Sequence, residues 1–344
     1  MPDTDVLVVG GGPVGLAAAV EARRRGLEVV VLEPRTGTVD KACGEGLMPG
    51  ALRLLQHWEL DPPGHPLAGI SYRSPAGHVD HRFRGPAGRG VRRTALHDAL
   101  RARAADLGAV TVPRRAQDVR VTDDGVVVDG LSARYLLACD GLHSGVRRRL
   151  GLEAPAAARP GGADRRRYGL RRHYRVAPWT DLVEVHWSPD AEAYVTPVAP
   201  DLVGVAVLGP RGADLDATLA ALPELAAHLR GAEPAGAVRG AGPLRQRSTR
   251  RAAGPVRLVG DASGYVDALT GEGLRVGFAQ ARAAVATLDD PAAYERAWRA
   301  ATRDYRLLTS ALVAWATSPL RPALLPVARR SPALFGTVVE RLAR

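Results

Sequence analysis

The sequence is almost without lysine: Lys41 is the single one, although 47 of the 344 residues are lysine or arginine and the formal net charge is +11. The arginines are spread along the chain and do not form one basic block, which argues against a nucleic-acid-binding protein. Aromatic residues make up only 5%, which argues against a surface that stacks on bases. We attribute most of the positive charge to a genome whose codon bias favours arginine, and a smaller part to the binding of phosphate-bearing ligands.

Cysteines, long apolar runs and a secretory leader are also scarce or lacking. Two cysteines, Cys43 and Cys139, cannot build a disulfide framework and indicate a reducing compartment. No uncharged apolar run reaches the roughly 18 to 20 residues of a membrane span. The first residues lead into a strand without a basic and apolar leader. We therefore expect a soluble, cytoplasmic protein, whose 46% hydrophobic content suffices for a large core.

Residues 5–33 predict a strand, a glycine-rich turn, a helix and a second strand. The letters DVLVVGGGPVG are followed by a helical run and then by EVVVLE. In this βαβ unit Gly10 permits a tight turn, Gly12 lets the backbone approach a pyrophosphate, and Gly15 lets the helix pack on the strand. Glu33 ends the second strand, where it can accept both ribose hydroxyls of an adenosine. An isolated GxGxxG is weak evidence, but this complete context predicts a dinucleotide site.

The rest of the chain alternates helical and strand patterns in an order that predicts two interleaved units. A hairpin is expected at 70–83, a connector at 151–167 and a proline–glycine linker before residue 256. Helices are predicted at 51–58, 93–107, 215–229 and from the last strand to the C-terminus. Further strands are predicted at 119–121, 125–128, 135–138, 168–176, 182–187, 193–197, 202–208 and 256–259.

Two later strands end in corners made of glycine and aspartate. YLLACDG, followed by HSGVR, places Asp140 and Gly141 after an apolar strand. VRLVGDASG places Gly260 and Asp261 after another, ahead of LTGEGL and a long helix. Each corner alone would be an ordinary turn.

Together the three motifs resemble the FAD-dependent aromatic hydroxylases of the p-hydroxybenzoate hydroxylase fold, the group A flavoprotein monooxygenases. KACGEGL at 41–47 and GDASGYVDALTGEG at 260–273 are similar to the geranylgeranyl reductase-like branch of that fold. The resemblance covers nearly the whole chain. It implies an α/β fold in which a Rossmann-like FAD-binding domain is interleaved with an antiparallel-sheet substrate domain and followed by C-terminal helices. The expected ranges are 1–68, 90–160 and 245–300 for the FAD-binding domain, 69–89 and 161–244 for the substrate domain, and 301–344 for the C-terminal helices.

The resemblance also implies which residues hold FAD. Arg93 would reach the phosphates or the ribityl chain, Asp140 with Gly141 would serve diphosphate contact and nicotinamide access, and Asp261 would meet the ribityl hydroxyls or a phosphate. The turn at 271–274 would lie against the isoalloxazine, where backbone amides at a helix N-terminus stabilise negative charge. The cofactor-binding residues predicted in this way are Gly10, Gly12, Pro13, Gly15, Glu33, Pro34, Arg35, Cys43, Arg93, Val119, Asp140, Gly141, Gly260, Asp261, Gly271, Gly273 and Leu274.

Four residues are candidates for proton transfer: Cys43, His186, Tyr194 and Glu272. Structural alternatives stay open, since Cys43 could be a small buried residue, His186 a sheet-surface residue and Tyr194 part of the core.

The reductases' Tyr-x-Trp-x-Phe-Pro pattern is reduced here to AYVTP at 193–197, without the tryptophan. The Trp-x-Trp-x-Ile-Pro element of flavin halogenases has no match either. The first departure argues against a reductase that acts on a long isoprenoid chain, and the second argues against a halogenase.

The sequence thus favours an NAD(P)H-dependent FAD monooxygenase that hydroxylates a bulky, apolar aromatic or polyketide-type molecule. The alternatives are a flavin-dependent double-bond reductase acting on an isoprenoid or polyene, and a flavin-binding protein without turnover. No metal site and no nucleic-acid partner are predicted. Residues 305–344 are expected to pack as helices on the FAD-binding domain, with weak contact to a membrane surface as the alternative. We expect a monomer or a homodimer.

Overall fold

The computed structural model describes residues 2–155 and 166–344, which form two large sheets with helices between and around them. The strands are β1 (Thr4–Val9), β2 (Val29–Leu32), β3 (Gly46–Leu47), β4 (His65–Leu67), β5 (Gly69–Ser74), β6 (Gly77–Arg82), β7 (Gly88–Gly90), β8 (Val110–Val112), β9 (Val119–Thr122), β10 (Gly125–Val128), β11 (Leu131–Ala138), β12 (Arg167–Arg175), β13 (Leu182–Trp187), β14 (Glu192–Ala199), β15 (Leu202–Pro210), β16 (Glu233–Ala241), β17 (Ala252–Ala253) and β18 (Val256–Leu258). The helices are α1 (Pro13–Arg24), α2 (Pro49–His57), α3 (Arg93–Asp106), α4 (Gly145–Arg149), α5 (Leu215–Ala220), α6 (Pro223–His228), α7 (Gly273–Ala286), α8 (Pro291–Ala316), α9 (Leu324–Arg330) and α10 (Pro332–Ala343), with 3-10 turns at Gly260–Ser263 and Arg321–Ala323.

The first sheet contains the N-terminal βαβ unit. Its order is β17-β18-β11-β1-β2-β8, and the five strands from β18 to β8 are parallel. β1 is apolar on both faces because both are covered, by α1, α3 and α7 on one side and by the β9–β10–β11 meander on the other. α1 begins with Pro13, whose missing N–H is harmless at a first helical position. It ends before Gly26, whose φ of +78° suits glycine.

The second sheet has the order β16-β12-β15-β14-β13-β5-β6, and its neighbours are antiparallel except for β13 and β5. Side chains alternate between its two faces, as strand geometry requires. Tyr194 and Val185 pack toward helices α8, α9 and α10, whereas Val195 and Val205 pack toward α5 and α6. The small sheet β3-β7-β4 lies beside β14 and brings residues 41–46 to the boundary between the large sheets.

The predicted fold class is confirmed: a parallel Rossmann-like sheet, an antiparallel sheet and C-terminal helices are all present. The hairpin expected at 70–83 is formed by β5 and β6. Within the described ranges, none of the helices is long and apolar enough to cross a membrane. The domain boundaries stay a prediction.

Two element predictions are wrong. The helix predicted at 215–229 is broken into α5 and α6, because Pro223 cannot continue a helix and opens a new one. The predicted proline–glycine linker contains β16, an edge strand with mostly exposed residues, where Pro234 and glycines are tolerated. Of the connector predicted at 151–167, residues 156–165 lie outside the described residues.

Candidate active site

A cavity of about 1050 Å³ lies where the carboxyl edge of the first sheet meets the second sheet and the C-terminal helices. Its walls include the glycine turn after β1, the loop at 41–46, the turn at 271–274 and parts of α8, α9 and α10. Ligands of open α/β sheets bind at this edge of parallel strands. The predicted cofactor residues that line the cavity are Gly10, Gly12, Pro13, Glu33, Pro34, Arg35, Cys43, Arg93, Asp140, Gly141, Asp261, Gly271, Gly273 and Leu274.

The three motif glycines serve different physical needs. Gly10 has a φ of +103°, and a Cβ placed on it would lie 2.5 Å from the carbonyl oxygen of Cys139. A Cβ on Gly15 would lie only 1.9 Å from the carbonyl oxygen of Gly10, so the glycine permits close helix–strand packing. A Cβ on Gly12 would be 4.0 Å from Nη2 of Arg93, its nearest neighbour. Gly12 therefore leaves free space at the N-terminus of α1, where a diphosphate could approach the backbone.

Glu33 is buried at the end of β2 and faces this turn. Its Oε2 accepts a 2.9 Å hydrogen bond from the backbone N–H of Gly11, and its Oε1 accepts one of 2.7 Å from Nε of Arg35. Burial alone would raise the pKa of Glu33, but the Arg35 guanidinium and the backbone donors outweigh it and hold the pKa below its usual value. The carboxylate is therefore ionised and able to accept hydroxyl groups.

His97 supports the same turn, and the sequence analysis missed it. Its Nε2 lies 3.0 Å from the carbonyl oxygen of Gly11, while its Nδ1 accepts from the N–H of Val39 at 3.5 Å. Since Nδ1 accepts, Nε2 carries the proton and donates to Gly11. Burial lowers the pKa of His97, so the ring is neutral at neutral pH. The signal in the sequence is weak, because one histidine on an amphipathic helix carries no spacing pattern.

Positive charge collects beside the glycine turn. Lys41 and Arg93 both line the cavity, and among the described residues neither forms an ion pair. Burial, together with repulsion from Arg35 and Arg93, lowers the pKa of Lys41. Nε of Arg93 is buried without a hydrogen-bond partner in the described part of the chain. Asp261 faces this group, and burial raises its pKa while the neighbouring cations oppose the shift.

The corner at Asp140 and Gly141 is joined to the later one by Arg147. Asp140 Oδ2 accepts from the N–H of Val146 at 3.1 Å, and its Oδ1 is buried without a partner among the described residues. Gly141 has a φ of +81°. Arg147 is fully buried and donates to the carbonyl oxygens of Leu142 at 2.9 Å and Ala262 at 3.0 Å. Arg147 was not among the predicted site residues.

Glu272 lines the cavity at the start of α7, beside Gly273. Its side chain is 1% exposed and pairs with Arg275. Burial raises the pKa of Glu272 to about 7, although the Arg275 guanidinium opposes the shift. Gly271 has a φ of +70°, so it permits the turn that precedes the helix. An acid with this pKa can release or take up a proton near neutral pH.

Cys43 and Tyr194, two of the predicted proton-transfer residues, also line the cavity. Cys43 is half-buried, and its Sγ accepts from the backbone N–H of Glu45 at 3.4 Å. The hydroxyl of Tyr194 donates to the carbonyl oxygen of Leu269 at 2.9 Å, and burial raises the pKa of Tyr194 well above its usual value. Tyr194 therefore keeps its proton in a bond to the backbone.

Four predicted site residues do not line the cavity. His186 points to the opposite face of β13 from the cavity-lining Val185, and its Nε2 contacts Oε2 of Glu184 at 2.9 Å, so the prediction of a pocket-facing histidine is wrong. Val119 is buried in β9 within an apolar cluster, whereas the cavity wall there is formed by Arg115 and Ala116. Gly15 and Gly260 do not line the cavity either, and their tight contacts are structural.

The far half of the cavity is apolar, and the residues that line it were not predicted. It lies between one face of the second sheet and the C-terminal helices, and its aromatic groups include Tyr72 and Phe335, whose ring centroids are 5.0 Å apart. Its aliphatic and aromatic lining residues include Ile70, Val185, Leu208, Leu312, Trp315, Leu324, Val327, Leu334, Val338, Val339 and Leu342. The cavity is thus polar and cationic at one end and apolar at the other.

The residues at the polar end fit FAD. The space above Gly12, the unpartnered Nε of Arg93 and the ionised Glu33 match a diphosphate and a ribose. Within residues 2–155 and 166–344, no group of three or more His, Cys, Asp or Glu side chains is placed so that it could hold a metal ion. The fold and the site define a dinucleotide-binding oxidoreductase.

Comparison with known proteins identifies the family. Residues 3–162 match the family described as "FAD binding domain". The menaquinone reductase of Mycobacterium tuberculosis is 31% identical over 316 residues, which cover 83% of this chain and 76% of that protein. The rifampicin monooxygenase of Streptomyces venezuelae is 32% identical over 169 residues, covering 44% of this chain and 34% of that protein. The chain belongs to the FAD-dependent oxidoreductases of the p-hydroxybenzoate hydroxylase type, a family of monooxygenases and reductases.

A solved structure supports the fold over the full length. A triple mutant of the flavin-dependent brominase Bmp2 matches with a TM-score of 0.82, covering 99% of this chain and 95% of that one, at 16% identity. At this identity the likeness concerns the fold alone. The narrower resemblance to the geranylgeranyl reductase-like branch stays a prediction.

Proposed function

We propose that this FAD-dependent enzyme is an NAD(P)H-dependent monooxygenase that hydroxylates a bulky, apolar aromatic or polyketide-type molecule. The observation that carries the proposal is one continuous cavity that joins the FAD residues to an apolar compartment. If the reacting ring of the substrate lies near the turn at 271–274, the apolar rest of the substrate would lie between the second sheet and α10. Pockets that recognise such molecules are largely apolar with a few orienting polar groups.

The chain's residues have separate tasks in this proposal. Gly12, Arg93 and Glu33 would hold the diphosphate and ribose, and the helix N-terminus at Gly273 would stabilise negative charge on the ring system. FAD supplies the redox chemistry by which a hydroxyl group from dioxygen is transferred to an aromatic carbon. Trp315 and Phe335 on the cavity wall would exclude water from the substrate.

Hydroxylation by FAD requires few catalytic side chains, which agrees with the residues that line the cavity. No side-chain nucleophile is required, and the Tyr194 hydroxyl is engaged with the carbonyl oxygen of Leu269. Glu272, with a pKa of about 7, is placed to exchange a proton with a phenolic substrate. NAD(P)H is the proposed electron donor. The exposed Arg148 and Arg149 on the cavity rim offer charge for its phosphates.

A double-bond reductase is the second candidate, and two observations favour it. Cys43 lies in the cavity with an available thiol that could supply a proton. The menaquinone reductase relative aligns with most of this chain, whereas the monooxygenase relative aligns with less than half. A reductase needs no oxygen, so the two candidates differ in one measurable requirement.

Oxygen dependence decides between them. We would supply purified FAD-loaded protein with NAD(P)H and two probes, a long-chain alkylphenol and a menaquinone, with and without isotopically labelled dioxygen. A hydroxylated product carrying the label, and no product without oxygen, supports the proposal. Turnover without oxygen contradicts it and favours the reductase. Absence of NAD(P)H oxidation with either probe contradicts both and favours a flavin-binding protein without turnover.

The apolar compartment can be tested by filling it. Val338→Trp would occupy space on the cavity wall, while Leu307→Trp changes a leucine that is 68% exposed and does not line the cavity. We expect the KM for the alkylphenol to rise about ten-fold or more in the first variant and to be unchanged in the second. Equal FAD binding in both would locate the effect in the substrate compartment. An unchanged KM in Val338→Trp would contradict the assignment.

Contact with a membrane surface is a further part of the proposal. Leu334 and Val327 line the cavity and yet are 60% and 39% exposed, so they border an opening. Residues 317–344 contain five arginines and one glutamate, a balance that suits anionic lipid. We expect vesicles with anionic lipid to float the protein, the double variant Val327→Ser/Leu334→Ser to float less, and Leu307→Ser to float normally. Equal flotation of both variants would contradict this entry route.

A further inference from the structure

Glu45 is a buried acid on the cavity wall to which the proposed reaction assigns no role. It lies two residues after Cys43 and is 3% exposed. Its φ of +59° places it in the left-handed region, which is uncommon for a residue with a side chain. A strained, buried, charged residue persists only where its surroundings hold it firmly. Its partners therefore indicate what it does.

The Glu45 carboxylate is held by two donors from distant parts of the chain. Oε1 accepts from the backbone N–H of Arg93 at 2.8 Å, and Oε2 lies 2.5 Å from Nε2 of His173. The other ring nitrogen of His173, Nδ1, lies 3.0 Å from Nη1 of Arg171. A guanidinium can only donate, so Nδ1 of His173 must accept and carries no proton. Nε2 of His173 therefore donates its proton to the Glu45 carboxylate.

Further bonds fix the same loop from both sides. Arg171 also pairs with Asp40 and donates to the carbonyl oxygen of Lys41 at 3.1 Å. Thr196 donates its hydroxyl to the carbonyl oxygen of Gly44 at 2.8 Å. The backbone of Glu45 accepts from the N–H of Val91 at 2.8 Å. The cysteine loop at 41–46 is thus attached to β12, β14 and the start of α3.

We propose that Glu45 is a positioning residue of the flavin site, which sets the cysteine loop and Arg93 at their correct separation across the polar end of the cavity. The Glu45 carboxylate accepts from the backbone N–H of Arg93, the first residue of α3, while the backbone N–H of Glu45 donates to Sγ of Cys43 at 3.4 Å. Lys41, Cys43 and Arg93 all line the cavity, and each is held by one of these hydrogen bonds. Both candidate reactions share this site, so the inference does not depend on which is correct.

FAD affinity of the purified apoprotein tests the role without turnover. Glu45→Gln retains the shape of the side chain but offers one acceptor atom where two donors converge, so one donor meets an amide N–H₂. Glu45→Gly removes the carboxylate while favouring the positive φ. We expect both variants to bind FAD about ten-fold or more weakly, as measured by quenching of flavin fluorescence. Wild-type affinity in Glu45→Gly would overturn the proposal, because backbone conformation alone would then suffice.

Two controls separate positioning from a general loss of stability. Glu21→Gln changes another buried glutamate, which accepts from Nε1 of Trp58 at 2.8 Å and lies outside the cavity. It should lower the melting temperature and leave FAD affinity unchanged. His173→Phe removes the donor to Glu45 from β12 and should weaken FAD binding as Glu45→Gln does. Wild-type FAD affinity in His173→Phe would also overturn the proposal, even if Glu45→Gln fails to fold.

Reaction of the cysteine loop gives a second readout. Cys139 is buried and burial raises its pKa, so iodoacetamide reports on Cys43 in the folded apoprotein. We expect Glu45→Gln to change the alkylation rate several-fold, because the half-buried thiol is no longer held in place. Glu21→Gln should react at the wild-type rate. An unchanged rate at Cys43 in Glu45→Gln would contradict the attachment of the loop to Glu45.

Discussion

Ionisation of Glu272 gives a sharp test of the electrostatics at the cavity wall. The side chain is 1% exposed and pairs with Arg275 at the first turn of α7. Burial raises its pKa from the ordinary 4.5 to about 7, and the Arg275 guanidinium only partly opposes this. Replacing Glu272 by glutamine keeps the volume and removes the titration.

The sign and size of the effect follow from proton linkage. The folded protein binds this proton more tightly than the unfolded chain, so Glu272 contributes stability that is complete below pH 4.5 and lost as pH rises through about 7. Each pKa unit corresponds to about 1.4 kcal/mol, which makes the full effect about 3 kcal/mol. Between about pH 5 and about pH 8 the expected loss is about 2 to 3 kcal/mol.

Urea unfolding of the apoprotein at these two pH values measures that loss. The free energy of unfolding of the wild-type protein should fall by about 2 to 3 kcal/mol more than that of Glu272→Gln between about pH 5 and about pH 8. Glu28→Gln changes an exposed glutamate and should follow the wild type. A difference between wild type and Glu272→Gln below about 0.5 kcal/mol would refute burial as the dominant influence on this acid.

Three further substitutions have distinct expected outcomes. Gly12→Ala should fold with normal stability, because its Cβ meets no neighbour closer than 4.0 Å, but should bind FAD about ten-fold more weakly in fluorescence titration; normal binding would contradict the diphosphate position. Gly15→Ala should unfold at markedly lower temperature in calorimetry, because its Cβ would lie 1.9 Å from a carbonyl oxygen, and an unchanged melting temperature would contradict that packing. Arg321→Ala removes a 2.6 Å bond to the buried Glu192 and bonds to three carbonyl oxygens, so urea titration should show a loss of about 2 to 4 kcal/mol. A loss in Arg321→Ala no larger than in the exposed Arg330→Ala would contradict its role in anchoring the C-terminal helices.

The βαβ unit and the glycine–aspartate corners could be predicted because their chemistry is local. Gly10, Gly12 and Gly15 act through backbone geometry within one turn, and Glu33 ends the strand that follows. Such features depend on residues close in sequence, so a single chain reveals them. The same holds for the hairpin of β5 and β6, whose turn residues lie between two alternating strands.

Other features of the site could not be predicted because they join distant segments. Glu45 and His173 are 128 residues apart, and nothing in either neighbourhood identifies the other. A strand at 182–187 puts His186 and Val185 on opposite faces, but the sequence does not indicate which face borders the cavity. β16 was not predicted as a strand because it contains glycine and proline. An edge strand tolerates these residues, since it forms hydrogen bonds to a neighbouring strand on one side only. In each of these cases the structure depends on contacts between residues that are far apart in the sequence.

The central claim is that one cavity receives FAD at its polar end and an apolar substrate at the other. A crystal structure of the protein with FAD and a long-chain alkylphenol tests this claim most directly. We expect the diphosphate above Gly12 beside Arg93, the adenosine ribose on Glu33, and the alkyl chain between the second sheet and α10. A flavin bound away from Gly12, or an alkylphenol bound outside the cavity, would contradict the account.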